Sequence, residues 1–182
     1  MTVETPAALV LVDVHGVVAD LVTGAEDLFD KRIDYAGYDY DFWRQWPDAP
    51  STKKFWKRIN RAGEDFWANL PCLAAGARLV AELKASGVEW AFCTAAVSQQ
   101  GAYHGTVRFC QRWFGDCRVI GTTEKHHLAG PNRLLIDDYT ENVERFISAG
   151  GVGYVWPQPW NARAVLDTLL DYAKVKAIQG VM

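Results

Sequence analysis

Five short apolar runs, at residues 8–12, 88–93, 118–120, 133–136 and 153–156, recur along the chain with helical stretches between them. The first, Ala8-Leu-Val-Leu-Val12, is apolar at every position and rich in β-branched residues. Such a run suits a strand buried on both faces, as at the centre of a parallel sheet. Residues 17–29, 53–70, 76–86, 102–114, 142–149 and 162–177 read as helices. The third is amphipathic and stops at Gly87, and the fifth is closed by Gly150-Gly151. Strands alternating with helices predict an α/β fold, a Rossmann-like parallel sheet core flanked by helices. The gap between the first two runs is too long for a simple crossover. It predicts a small helical cap inserted after the first strand, at 17–71, with the core formed by 1–16 and 72–182.

A chain of 182 residues suffices for one such domain. Its 49% hydrophobic and 23% charged residues exclude a disordered chain. The net charge of −3 excludes a broad basic field, so no nucleic-acid polymer is expected as partner. No apolar run approaches the roughly 18–20 residues of a membrane span. The chain starts with an acidic, not a basic, segment, which predicts a cytoplasmic protein without a membrane partner. Cys72, Cys93, Cys110 and Cys117 show no Cys-x-x-Cys spacing. Cys93 and Cys110 each follow a Phe, which favours reduced core thiols over zinc ligands or disulfides. Eleven of the 23 aromatic residues fall between Phe29 and Trp67, so the cap differs in kind from the core. Its aromatic surface can face a ligand or a second copy of the chain, and a homodimer is compatible with it.

Ligands of open parallel sheets gather outside the carboxyl ends of the strands. Here those ends carry Asp13 with His15, then Thr94, then Asp137 and Asp138, and Lys125 follows the third run. Asp13 suits a nucleophilic carboxylate, and Asp137-Asp138 suit a hard cation such as Mg²⁺. Thr94 and Lys125 suit phosphate oxygens. Together they form the kit for in-line phosphoryl transfer. Taken singly, each has a plainer reading: Asp13, Thr94 and Asp137-Asp138 as helix caps or turn residues, Lys125 as a solvated surface side chain.

The segments Asp13-Val-His-Gly-Val-Val, Phe92-Cys-Thr94-Ala, Lys125 and Leu134-Leu-Ile-Asp-Asp138 resemble the four ordered motifs of the haloacid-dehalogenase-like superfamily. More narrowly, Gly16-Val-Val-Ala-Asp20, Asp65-Phe-Trp-Ala-Asn-Leu-Pro71, Phe92-Cys-Thr94 and Trp156-Pro-Gln-Pro-Trp-Asn161 resemble its 5′(3′)-deoxyribonucleotidase group. The resemblance implies a phosphomonoesterase acting on nucleoside monophosphates through an aspartyl-phosphate on Asp13. It implies Mg²⁺ held by Asp13, the main-chain carbonyl of His15, and one or both of Asp137 and Asp138. It also implies phosphate binding by Thr94 and Lys125, and packing of Phe66 and Trp67 on the nucleoside. Adjacent positions on a helix point apart, so only one of that pair is expected at the ligand.

The chain departs from the family where a second Asp, two residues after the nucleophile, serves as general acid and base. His15 stands there, while Ala95 and Thr123 replace a usual Ser and Arg. A histidine with an ordinary pKa of about 6.5 can move that proton. Alternatively, the loss of Asp leaves a relative that binds a nucleotide or phosphorylated ligand without efficient turnover. A carbon–halogen hydrolase is a third reading, opposed by the retained Asp137-Asp138 pair, which that chemistry does not need. His126-His127 read as surface residues because adjacent histidines rarely chelate one ion. His104 has no assigned role, and the stretch from Tyr35 to Trp43 reads as packed surface ahead of a substrate-covering loop.

Overall fold

The computed structural model describes residues 9–35, 38–98 and 101–161. Five strands form one parallel sheet: β1 (Leu9–Val12), β2 (Glu89–Thr94), β3 (Val119–Gly121), β4 (Arg133–Asp137) and β5 (Val152–Val155). Their order is β3-β2-β1-β4-β5. The chain moves outward from β1 to β3 on one side and from β4 to β5 on the other. The carboxyl ends of β1 and β4 therefore flank the point where the winding reverses, the usual crevice for a ligand.

Apolar residues fill both faces of the central strands, as their unbroken runs require. Val10, Val12, Phe92, Leu134 and Ile136 join one buried cluster. Leu11, Ala91, Cys93 and Leu135 join the other, covered by Phe146. Phe146 lies on α5 (Thr140–Ser148), while α3 (Ala74–Ser86) and α4 (Ala102–Phe114) cover the first face. The bounds of α4 coincide with the stretch expected from periodicity. The expected helix at 162–177 lies outside the described residues.

The insertion begins later than its hydrophobicity suggests. Residues 17–20 are not helical: Val18 and Ala19 amides both donate to the Val14 carbonyl, and α1 spans Leu21–Phe29. Gly16 has φ +89°, which reverses the chain, and Asp20 caps α1 through its carboxylate and the Thr23 amide. The two ends of the insertion are tied together, since Asp20 N donates to Pro71 O and Leu73 N to Val18 O. Helix α2 (Thr52–Ala68) is kinked at Gly63, whose φ is +69°. A 3₁₀ turn at Phe42–Gln45 lies in the aromatic stretch between α1 and α2.

Phe55 of α2 is fully buried and stacks on Trp43 at 4.0 Å and on Phe29 at 5.2 Å. These rings belong to the same hydrophobic cluster as Val10, Val12 and Phe92 of the sheet. The aromatic richness of the insertion thus builds a core continuous with that of the sheet. Burying such a side chain contributes on the order of 2–3 kcal/mol. All four cysteines are free thiols, with Cys93 and Cys110 buried. Among the described residues no helix is long and apolar enough to cross a membrane.

Candidate active site

Parallel pairing puts two carboxylates side by side. Val12 of β1 aligns with Ile136 of β4, and the Asp13 amide donates to the Ile136 carbonyl at 2.8 Å. One residue further, Asp13 and Asp137 occupy the same rung and share the side of the sheet that Leu11 and Leu135 face. Lys125 enters from a 3₁₀ turn, Lys125–Leu128. Its Nζ lies 2.6 Å from Asp13 Oδ1 and 2.6 Å from Asp137 Oδ2. Asp137 Oδ1 accepts from the Tyr139 amide at 2.9 Å, and Asn142 Nδ2 reaches its two oxygens at 3.1 and 3.3 Å. Asp137 therefore accepts from three donors and fixes Lys125.

Asp138 points the other way. Its carboxylate lies where a side chain on Gly16 would go: a Cβ there would sit 2.1 Å from Asp138 Oδ2. The late segment closes this corner. Asn161 Nδ2 donates to the Asp138 and Trp156 carbonyls at 2.8 Å each, and Gln158 Nε2 donates to the Gly16 carbonyl.

Asp13, Asp137 and Asp138 are all buried, and one ligand atom from each lies within 4.8 Å of the others. With all three ionised and Lys125 protonated, the cluster carries a formal charge of −2. Burial, Asp13 and Asp137 push the Asp138 carboxyl well above the usual carboxylate range; burial and Asp13 push Asp137 up in the same way. Burial opposes the Lys125 charge, but Asp13 and Asp137 outweigh it and hold the ammonium protonated. Three crowded carboxylates short of positive charge are a donor set of hard oxygens. They fit a small divalent cation such as Mg²⁺.

His15 sits between two hydroxyls. Its Nδ1 is 3.5 Å from Thr94 Oγ1 and its Nε2 3.3 Å from Thr106 Oγ1, with the Trp67 ring edge-on at 4.9 Å. Burial, and then the Lys125 charge, lower the imidazole from 6.5 to about 3. The ring therefore stays neutral well into the acid range, between about pH 3 and 6, where a histidine with its ordinary pKa is charged. In the window between about 3 and 6.5 the unfolded chain holds the extra proton. The contribution of His15 to stability is thus complete above about pH 6.5 and lost as pH falls toward 3, by up to about 1.4 kcal/mol per pH unit. Asp137 and Asp138, with raised pKa values, have the opposite sign. Urea unfolding of wild type and His15→Gln from pH 4 to 7 should separate the two, because only wild type carries the histidine contribution. Parallel curves would show that the ring pays no desolvation.

Two adjoining cavities meet at this point. One, of about 240 Å³, is lined by Asp13, Lys125, Asp137, Asn142, Ala95 and Trp67, among others. Thr94 is fully buried and does not line it; its hydroxyl accepts from the Ala96 amide at 3.2 Å. Of the aromatic pair, Trp67 lines the cavity and Phe66 does not, as opposed directions on a helix require. The second cavity, of about 250 Å³, takes Tyr35, Tyr38, Tyr40, Phe42 and Trp43 as one wall. The sequence reading ranked this stretch as packed surface; Tyr38, Phe42 and Trp43 are buried and packed on neighbouring rings, and they also line the cavity. Thr106, Asn142 and Trp56 were also missed, and no local pattern marks them. His126 and His127 lie on the outside of the 3₁₀ turn, and with Glu124 form a half-exposed group rather than part of the carboxylate cluster.

No protein-family model matches this sequence, and no curated protein does. Solved structures do match. A HAD family hydrolase from Deinococcus radiodurans R1, with bound phosphate and sodium, aligns over 96% of this chain and 95% of its own, with TM-score 0.57 and 16% identity. A putative beta-phosphoglucomutase from Thermotoga maritima aligns over 97% and 100%, with TM-score 0.55 and 15% identity. CbbY from Rhodobacter sphaeroides, in complex with phosphate, aligns over 96% and 100%, with TM-score 0.54 and 18% identity. The five-stranded parallel sheet with its flanking helices is accordingly the fold of HAD family hydrolases.

Proposed function

We propose that this chain is a phosphomonoesterase that hydrolyses nucleoside monophosphates through an aspartyl-phosphate on Asp13. The observation that carries the reading is the buried cluster in which Lys125 bridges Asp13 and Asp137 beside Asp138. Two of the fold relatives hold phosphate, which supports a phosphoryl ligand. An Asp13 oxygen attacks phosphorus, an O–P bond forms, and the bond from phosphorus to the ester oxygen breaks. The leaving alkoxide takes a proton passed through His15. Water then attacks the aspartyl-phosphate, giving its proton back to His15, and the bond to Asp13 breaks to release phosphate and restore the carboxylate. Lys125, 2.6 Å from Asp13 Oδ1, orients that carboxylate and lends positive charge to the phosphate oxygens. When bound, Mg²⁺ held by Asp13, Asp138, Asp137 and the main-chain carbonyl of His15 would neutralise further charge on the phosphate.

The low pKa of His15 favours a second reading, in which turnover is slow and the chain chiefly binds its ligand. Above pH 3 the imidazolium population falls about tenfold per pH unit, so leaving-group protonation weakens toward neutral pH. Phosphate release from a panel of ribo- and deoxyribonucleoside monophosphates, with Mg²⁺ and with chelator, tests both. The expected result is Mg²⁺-dependent release that rises as pH drops from 8 toward 5. His15→Asp should raise release at neutral pH and flatten that rise. Silence from both proteins across the panel would overturn the phosphatase reading, and silence from wild type alone would leave the binding one.

A further inference from the structure

The aromatic cavity and the carboxylate cavity share His15, Leu21, Tyr40, Trp56 and Asp138 as a common wall. A phosphate ester attacked by Asp13 thus has the aromatic cavity next to its phosphoryl group, where the alcohol portion can lodge. Among the described residues, seven aromatic side chains line that space, together with two carboxylates, Asp20 and Asp138, and no lysine or arginine. The rings stand at varied angles: Trp160 meets Tyr38 at 5.3 Å with planes 54° apart, and Tyr40 at 6.0 Å and 84°. They form a cage of faces and edges and not a single stacking slot.

Its polarity is one-sided. Ring faces carry negative quadrupole potential, which attracts a cation and repels an anion. Asp20 adds a full negative charge, fixed at the N-terminus of α1 by Thr23 N at 2.9 Å and Thr23 Oγ1 at 2.7 Å. Behind Tyr35 a further carboxylate, Glu26, is buried and accepts from the Tyr35 hydroxyl at 2.5 Å and the Ile33 amide at 2.6 Å. That hydrogen bond pushes electron density toward the Tyr35 ring. Burial, and then Asp20, Tyr35 and Asp138, push the Tyr38 hydroxyl far above its ordinary pKa, in keeping with negative potential here. A neutral alcohol would leave Asp20 and the ring faces without a counter-charge.

Resting on the phosphomonoesterase reading, we infer that the aromatic cavity selects phosphate monoesters whose alcohol portion bears a permanent positive charge. Two chemistries supply one: a quaternary-ammonium alcohol and an N-alkylated, cationic nucleobase. Both present a weakly hydrated cation to the rings, and neither needs a lysine or arginine in the wall.

Matched pairs test the charge alone. Phosphocholine is compared with 3,3-dimethylbutyl phosphate, its neutral isostere, and N7-methylguanosine monophosphate with guanosine monophosphate. The expected kcat/KM ratio is about tenfold in favour of the cation, in keeping with a desolvated cation–π contact. Discrimination within only one pair identifies which chemistry the cavity takes. Asp20→Asn keeps a side chain that can cap α1 and should cut the ratio severalfold, as should Trp160→Leu. A second readout needs no turnover: binding of choline against 3,3-dimethylbutanol, and of N7-methylguanosine against guanosine, by calorimetry. Cation-selective binding without hydrolysis of any ester would uphold the cavity's selectivity and defeat the phosphatase reading. Hydrolysis with equal rates in both pairs, or no binding preference for the cation, would overturn the inference while leaving phosphatase activity intact.

Discussion

Asp13→Asn is expected to lower phosphate release by about a thousandfold or more while leaving the fold in place. The amide matches the carboxylate in shape, but its oxygen lone pairs are delocalised and it is a poor nucleophile, so the covalent route closes. The backbone of residue 13 is set by strand pairing, with its amide on the Ile136 carbonyl, and does not depend on the side-chain charge. Removing one of three crowded carboxylates also relieves repulsion on Asp137 and Asp138, whose carboxyls burial and Asp13 hold high. A thermal melt near that of wild type, beside a rate near background, is the predicted pair of results. A loss smaller than about tenfold in a folded variant would sink the aspartyl-phosphate on Asp13, because Asp137, the other carboxylate on that rung, is held by Lys125, the Tyr139 amide and Asn142.

The second large effect is on stability. Lys125→Met deletes the ammonium that two carboxylates share at 2.6 Å each, in a position where the lysine side chain is only 2% exposed. Breaking a buried pair in this way costs about 3–5 kcal/mol, because the carboxylates stay buried without compensation. The penalty should depend on pH with a definite sign. Without Lys125, Asp137 and Asp138, already pushed up by burial and by Asp13, bind protons more tightly folded than unfolded, so their folded pKa values lie above the unfolded 3.9 or so. The variant is then most stable at acid pH and loses stability as pH rises through those folded values. Urea unfolding at pH 5 and pH 7 measures this, and a variant equally unstable at both would refute it. Adding Asp137→Asn to Lys125→Met should recover part of the loss, and the double-mutant cycle gives the coupling between the two side chains. Activity is expected to be lost in both proteins.

The two variants separate roles that the sequence runs together. Asp13, Lys125 and Asp137-Asp138 stand 112 and 12 residues apart along the chain at their closest bridges, yet meet at one ammonium. That they would meet was legible, because a buried strand that ends in Asp and a parallel sheet leave few other places for the carboxylates. Asp13 and Asp137 follow equivalent apolar runs, and pairing Val12 with Ile136 brings them level. Lys125 was legible only through its place in the series, since nothing in Thr123-Glu-Lys-His-His127 marks one basic residue as buried.

Other features resisted for identifiable reasons. Residues 17–20 carry enough apolar side chains to extend α1, but a glycine with positive φ and the pairing of Asp20 with Pro71 hold them in a turn. The identity of His15 is plain, but its pKa depends on burial and on Lys125, 110 residues away, and its hydrogen-bonding partners on β2 and α4. The aromatic stretch around Tyr38 looked like packed surface because its composition does not say whether the rings close on each other or around a space.

The sequence by itself determined the order of strands and helices, the parallel sheet and the residues at its carboxyl ends. Apolar period, glycine stops and capping residues act over a few positions and can be read locally. Only the tertiary structure decided that His15 stays neutral into the acid range, that Thr94 is buried behind His15 and that the cap's rings line a space. Those properties are sums of desolvation, charge and shape over side chains from distant segments, and no local stretch of the chain contains them.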